Sequence, residues 1–159
     1  MPTADQLQSL ALFDGISDRH LQRLASLGLV QHYGTGTTLF QENSYHHTFY
    51  LVLEGTVALD IHVPRRKPKR ILTVSAGDIL AWSAILSDGR MTTSAVTLAP
   101  TQLIAWPADK LMQLCKDDHE VGFLIMHRVA QALSRRLSST RLQLLDMLVE
   151  TEPMPRPAD

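Results

Sequence analysis

The chain holds a single cysteine, Cys115, in 159 residues. One thiol excludes an intrachain disulfide and any thiolate metal cluster. Its neighbours, "LMQLCKDD", read as helix, so a buried and inert thiol is expected. No stretch approaches the roughly 18 uninterrupted apolar residues of a membrane span. The opening "MPTADQLQSL" lacks the apolar segment of a secretory signal, so a cytoplasmic location is expected. Neither charge sign dominates: 15 Lys and Arg face 16 Asp and Glu, which leaves no broad basic surface for nucleic acid. Catalytic motifs are also missing. There is no Gly-x-Ser-x-Gly and no base beside Cys115, so no enzyme is expected. Adjacent His46 and His47 would face opposite ways on a strand, and His119 and His127 stand too far apart on a helix for one ion. No metal site is expected.

Apolar residues make up 45% of the chain, an ordinary globular share for one domain with a real core. Thr3 and Gln6 form a capping-box pair that opens a helix through Leu7, Leu10 and Leu12. Ser17 is placed to cap a second helix, with Leu21, Leu24 and Leu27 on one face and Gly28 at its end. From residue 29 to about 106 the pattern changes to short strands and turns. "FYLVLEGTVALDIHV" reads as two strands folded at Glu54-Gly55, in the manner of a hairpin. Val57, Leu59, Ile61 and Val63 alternate with polar or small residues, which puts one face in the core. Pro64 and Pro68 make "PRRKPKR" a loop. "ILTVSAG" and "SAVTLAPTQLIAW" supply further strands.

Pro107 opens a short helix, and Asp117 with Glu120 suggests the cap of a long one. Ala130, Leu133, Leu137, Thr140, Leu144 and Met147 follow alternating steps of three and four, the seam of a helix that pairs with another. Three prolines in "TEPMPRPAD" predict a disordered tail over 150–159.

Helices, a compact all-β section and one long helix resemble the cyclic-nucleotide-binding domain of the catabolite-activator and fumarate-nitrate-regulator (Crp/Fnr) family. "LFDGISDRHLQRLA" is similar to its opening helices and "YGTGTTLFQENS" to its glycine turn. "FYLVLEGTVAL" is similar to its central hairpin, "AGDILAW" to the start of its phosphate cassette, and "ALSRRLSSTRLQLLD" to its dimer helix. The resemblance implies a mainly β fold with flanking helices: a double-stranded β-helix, or jelly-roll-like β-roll, spanning 1–149 with a dimerisation helix over about 118–149. Asn43 replaces a usual Gly in the second turn, and Asn tolerates the left-handed conformation.

In cyclic-AMP-binding members, backbone amides of the cassette cradle the phosphate, a Glu takes the ribose hydroxyl, an Arg pairs with the phosphate, and a Thr of the dimer helix reaches the base. By alignment Ala81 stands at a family Gly and Trp82 at the Glu. The Arg position falls on Met91 or Thr92, depending on one gap, so Arg90 serves only if "SDGR" shifts register. Thr140 matches the base-contacting Thr. The resemblance therefore implies ligand contacts among Gly77, Asp78, Ala81, Trp82, Ser83, Arg90, Thr92, Thr93 and Thr140, with Asp78 shaping the turn. The expected role is a homodimeric regulatory module without a permanent cofactor. Its ligand is cyclic AMP, cyclic GMP or another small anionic metabolite. The chain stops soon after the long helix, so no helix-turn-helix and no direct DNA binding are expected, and any effect on transcription would pass through a protein partner. The alternative is a dimeric interaction adaptor whose pocket is filled by its own side chains.

Overall fold

A computed structural model describes residues 1–151, with side chains through Leu145. Along the chain run α1 (Ala4–Gln8), α2 (Asp18–Leu27), β1 (Leu29–Tyr33), β2 (Thr38–Phe40), β3 (Thr48–Glu54) and β4 (Thr56–Ile61). Then come β5 (Lys69–Ser75), β6 (Ile79–Leu80), α3 (Ser83–Leu86), β7 (Ser94–Thr97), β8 (Thr101–Pro107), α4 (Ala108–Asp117) and α5 (His119–Thr151). Two four-stranded antiparallel sheets, ordered β1-β8-β3-β6 and β2-β7-β4-β5, form the β-roll.

The strands β3 and β8 are apolar on both faces because both are covered. Tyr50, Val52, Leu103 and Ala105 point between the sheets, into a core shared with Val57, Leu59, Leu80 and Met91. Phe49, Leu51, Ile104 and Trp106 point the other way, against Leu21 and Leu24 of α2, Leu111 of α4, and Val121, Ile125 and Val129 of α5. This is the period-two geometry of a strand expressed twice over. The Trp106 indole donates to the Leu24 carbonyl at 2.8 Å, so the largest core side chain leaves no buried donor unmet.

Glu54-Gly55 is not a hairpin turn. β3 and β4 lie in different sheets, and the chain crosses between them there. Gly55 has φ +92°, and a Cβ on it would stand 2.5 Å from the Pro100 carbonyl. That carbonyl lies on the neighbouring crossing between β7 and β8. In β4, Val57 and Leu59 face the core as expected, but Ala58 is equally buried, between Thr73 of β5 and Val96 of β7 in register. The true hairpin joins β4 to β5 across the basic loop.

At the N-terminus the capping box forms in full, but α1 ends at Gln8 and a one-turn 3-10 segment, Ala11–Phe13, follows. The Ser17 hydroxyl does not cap α2; it pairs with His20 Nδ1 at 3.0 Å. On its other side the His20 ring meets Asp118 at 3.2 Å, and Arg23 Nη1 donates to the same carboxylate at 2.6 Å. Asp118, one residue later than expected, caps α5 by accepting from the Val121 amide. Its carboxyl lies below the usual range, chiefly through that amide, with His20 and Arg23 adding to it. One side chain thus ties α2 to the α4–α5 corner. Gly122 tightens that corner, since a Cβ there would stand 2.4 Å from the Cys115 carbonyl. Burial of Cys115 pushes its thiol up, as expected of an inert one.

The long helix leaves the core after Val129. Phe123, Leu137, Leu142, Leu144 and Leu145 are exposed. Phe123 precedes Ala130, Leu137 and Leu144 at steps of seven, so the expected seam begins a heptad earlier. Met147 and the proline-containing tail lie outside the residues whose side chains are described; α5 itself runs to Thr151.

Two outcomes follow from the corner. The lowered pKa of Asp118 stabilises the fold above the ordinary carboxylate range, about pH 4, and that contribution is lost as pH falls through the folded value. Urea denaturation should show Asp118→Asn less stable than wild type at pH 7, with the gap closing in acid. Gly122→Ala gains helix propensity but meets backbone, and a melt should show it destabilised by about 1–3 kcal/mol.

Candidate functional site

The segment from Gly77 to Ser94 forms one wall of the site. Gly77 has φ +87° and its amide donates to the Val52 carbonyl, while the Asp78 carboxylate accepts from the Ser75 amide at 2.9 Å. Both residues shape the turn from β5 into β6. Ala81 then takes φ +56°, a left-handed conformation that costs a residue with a Cβ about 1–2 kcal/mol. Trp82 precedes α3 as its N-cap residue, and its carbonyl accepts from the amides of Ile85 and Leu86. Ser83 is buried, and its carbonyl gathers the Ser87 amide, the Ser87 hydroxyl and the Gly89 amide, closing the loop over α3.

Beyond the loop the register does not shift. The Met91 amide donates to the Ser44 carbonyl and the Met91 carbonyl accepts from Asn43, which has φ +65°. Met91 is therefore turned inward and is 2% exposed, whereas Arg90 is turned outward. The Arg90 guanidinium donates to Asn43 Oδ1 at 3.2 Å and lines neither the narrow cavity nor the groove described below. Successive residues of an extended segment face opposite ways, which is why one position decides this.

Inside the turn of the cassette only about 10 Å³ of free space remains, bounded by Ala81, Ser83 and Met91. Next to it opens a groove of about 660 Å³ between the β4–β5 face and α5. Trp82, Thr92, Thr93 and Arg136 border both spaces, and Thr140 lines the groove from the helix. The structure thus brings together Trp82, Thr92, Thr93 and Thr140 of the expected residues. Gly77, Asp78, Ala81 and Ser83 frame the cassette rather than line the groove, and Arg90 stands apart.

Arg136 was not among the expected residues. It is half-buried, and its Nη2 donates to the Ile79 carbonyl of the cassette strand. Burial pushes its guanidinium down from the ordinary value; Asp78 opposes that shift and Arg135 adds to it. It stays charged at any physiological pH. Among the described residues no carboxylate lies within ion-pair distance of it. The clue in the sequence is a spacing of four before Thr140, which puts both residues on one helical face. The Thr140 hydroxyl donates to the Arg136 carbonyl at 2.9 Å. Leu133, Thr140 and Leu144, expected to face a partner helix, also border this groove, because a three-four repeat marks an apolar strip without saying what lies opposite.

Among the described residues no helix is long and apolar enough to cross a membrane, and no group of three metal-ligating side chains comes together.

The fold is shared with known proteins. A structure from Geobacter metallireducens described as a cyclic nucleotide-binding protein superposes with TM-score 0.77 and 25% identity, over 86% of this chain and 99% of that one. The catabolite activator protein of Thermus thermophilus superposes with TM-score 0.70 and 25% identity, over 87% of this chain and 62% of that one. The Drosophila melanogaster cGMP-dependent protein kinase, isozyme 1, is 23% identical over 96 residues; the match takes in 59% of this chain but only 12% of the kinase. The family model "Cyclic nucleotide-binding domain" matches residues 30–118, the span from β1 to the α4–α5 corner. The chain belongs to the cyclic nucleotide-binding domain family, in the β-roll form shared with Crp/Fnr-type regulators.

Proposed function

We propose that the protein is a homodimeric regulatory module in which a small anionic ligand, held between the roll and α5, changes how two copies of α5 pair. The observation that carries this reading is the composition of the groove. Trp82, Thr92 and Thr93 enter from the cassette and Leu133, Arg136, Thr140 and Gln143 from the helix. An occupant that touches both walls binds one helix position better than another, and only such differential binding shifts an equilibrium. The exposed strip of Phe123, Ala130, Leu137 and Leu144 beside the groove supplies the pairing surface.

The adaptor reading also has an observation in its favour. Met91, one of the two positions at which alignment puts the family's Arg, is turned inward, and the space it leaves is about 10 Å³. A site filled in this way would give no thermal shift with any small anion.

Two measurements test the proposal. Burial of a leucine contributes about 1.5–3 kcal/mol. Leu137→Asp with Leu144→Asp should therefore raise the dimer dissociation constant by about 100-fold or more in sedimentation equilibrium. Spin labels on Ser138→Cys should report an interhelical distance that changes when an anion from a panel containing cyclic AMP, cyclic GMP and organic acids binds. A bound anion that leaves the distance unchanged contradicts the regulatory reading.

A further inference from the structure

We infer that the ligand is an apolar-bodied organic carboxylate, with its charged end on Arg136 and its body along the groove; this rests on the proposed site between roll and helix. The first support is size. A cyclic phosphate needs room inside the turn of the cassette, and about 10 Å³ there holds roughly one water. The inward Met91 thioether offers an anion no hydrogen-bond donor. The anion must then sit on the groove side of Trp82.

The second support is the position of the positive charge. Arg136 borders both the narrow cavity and the groove, and its guanidinium spends one nitrogen on the Ile79 carbonyl. Its planar fork keeps further donors, which match the two oxygens of a carboxylate. Thr92 and Thr93 bring hydroxyls to the same junction. Asp78 acts on Arg136 only at a distance, so its charge is softened but not paired.

The third support is the wall. Away from that junction the groove is lined by Leu59, Ile61, Ile71, Leu72, Leu133 and Leu144, with Thr140 and Gln143 from α5 and the exposed Lys69 and Arg70 from β5, of which Arg70 pairs with Asp60 at 3.2 Å. An aromatic or aliphatic body loses water against the leucines and isoleucines of that wall. At about 660 Å³ the groove has the volume of an ordinary small-molecule site.

The test is calorimetry on the full chain with phenylacetate, naphthalene-2-carboxylate, octanoate and decanoate, each beside its neutral amide, and with cyclic AMP and cyclic GMP. At least one carboxylate should bind, about 10- to 100-fold more tightly than its amide, the range expected for charge-assisted hydrogen bonds. Binding should disappear in Arg136→Met and persist in Arg90→Gln. If Arg136→Met does not fold, the acid-to-amide ratio in the wild-type protein decides alone. Equal affinity for acid and amide overturns the inference, as does binding of none of the four acids. Cyclic nucleotide binding without carboxylate binding also overturns it, yet leaves the regulatory reading standing. No binding by any compound, with Trp82 shielded from acrylamide quenching in the dimer, assigns the groove to a second copy and removes both.

Discussion

A single guanidinium joins the two halves of this molecule where its function is expected to lie. Arg136 reaches from α5 to the Ile79 carbonyl, on the strand that leads into the cassette. A charge taken out of water must find polar partners, so the helix is held where that carbonyl can be reached. Further up, Val121, Ile125 and Val129 fix the same helix by burial in the outer core, and Asp118 fixes its start. Between these anchors and the exposed leucines, α5 passes along the β4–β5 face without packing into it, and the groove is the space left.

The cassette turns tightly before α3, and its inner side is apolar where Met91 stands. Ala81 holds a left-handed turn that glycine would adopt without strain, and Ser83 still closes the loop through its carbonyl. Met91 fills what the turn encloses. Positive charge around the groove comes from Arg136 of the helix and from Lys69 and Arg70 of β5. A ligand there would bear directly on α5, the element proposed to pair two copies.

Strands and helices were legible in the sequence wherever burial acts through a simple period. The double-sided core strands β3 and β8 appear as unbroken apolar runs, and the capping box at Thr3 forms as its residue types require. Tertiary competition was not legible. Glu54-Gly55 carries the residues of a hairpin, yet the chain changes sheets there, because Gly55 is needed for close passage by Pro100. Ser17 has the residue type of a cap, but His20 competes for its hydroxyl. In the site, Trp82, Thr92, Thr93 and Thr140 could be named from the resemblance, because a family motif fixes their positions. Arg136 could not, since a cation on a long helix looks solvated until the opposing wall is known.

The central claim is that one ligand touches the cassette and the helix together. Hydrogen exchange on the liganded protein measures this directly. The account predicts added protection in two segments at once, 79–94 and 133–145, with little change in β1 and β2. Protection confined to one of those segments, or located at the basic loop between β4 and β5, would contradict it.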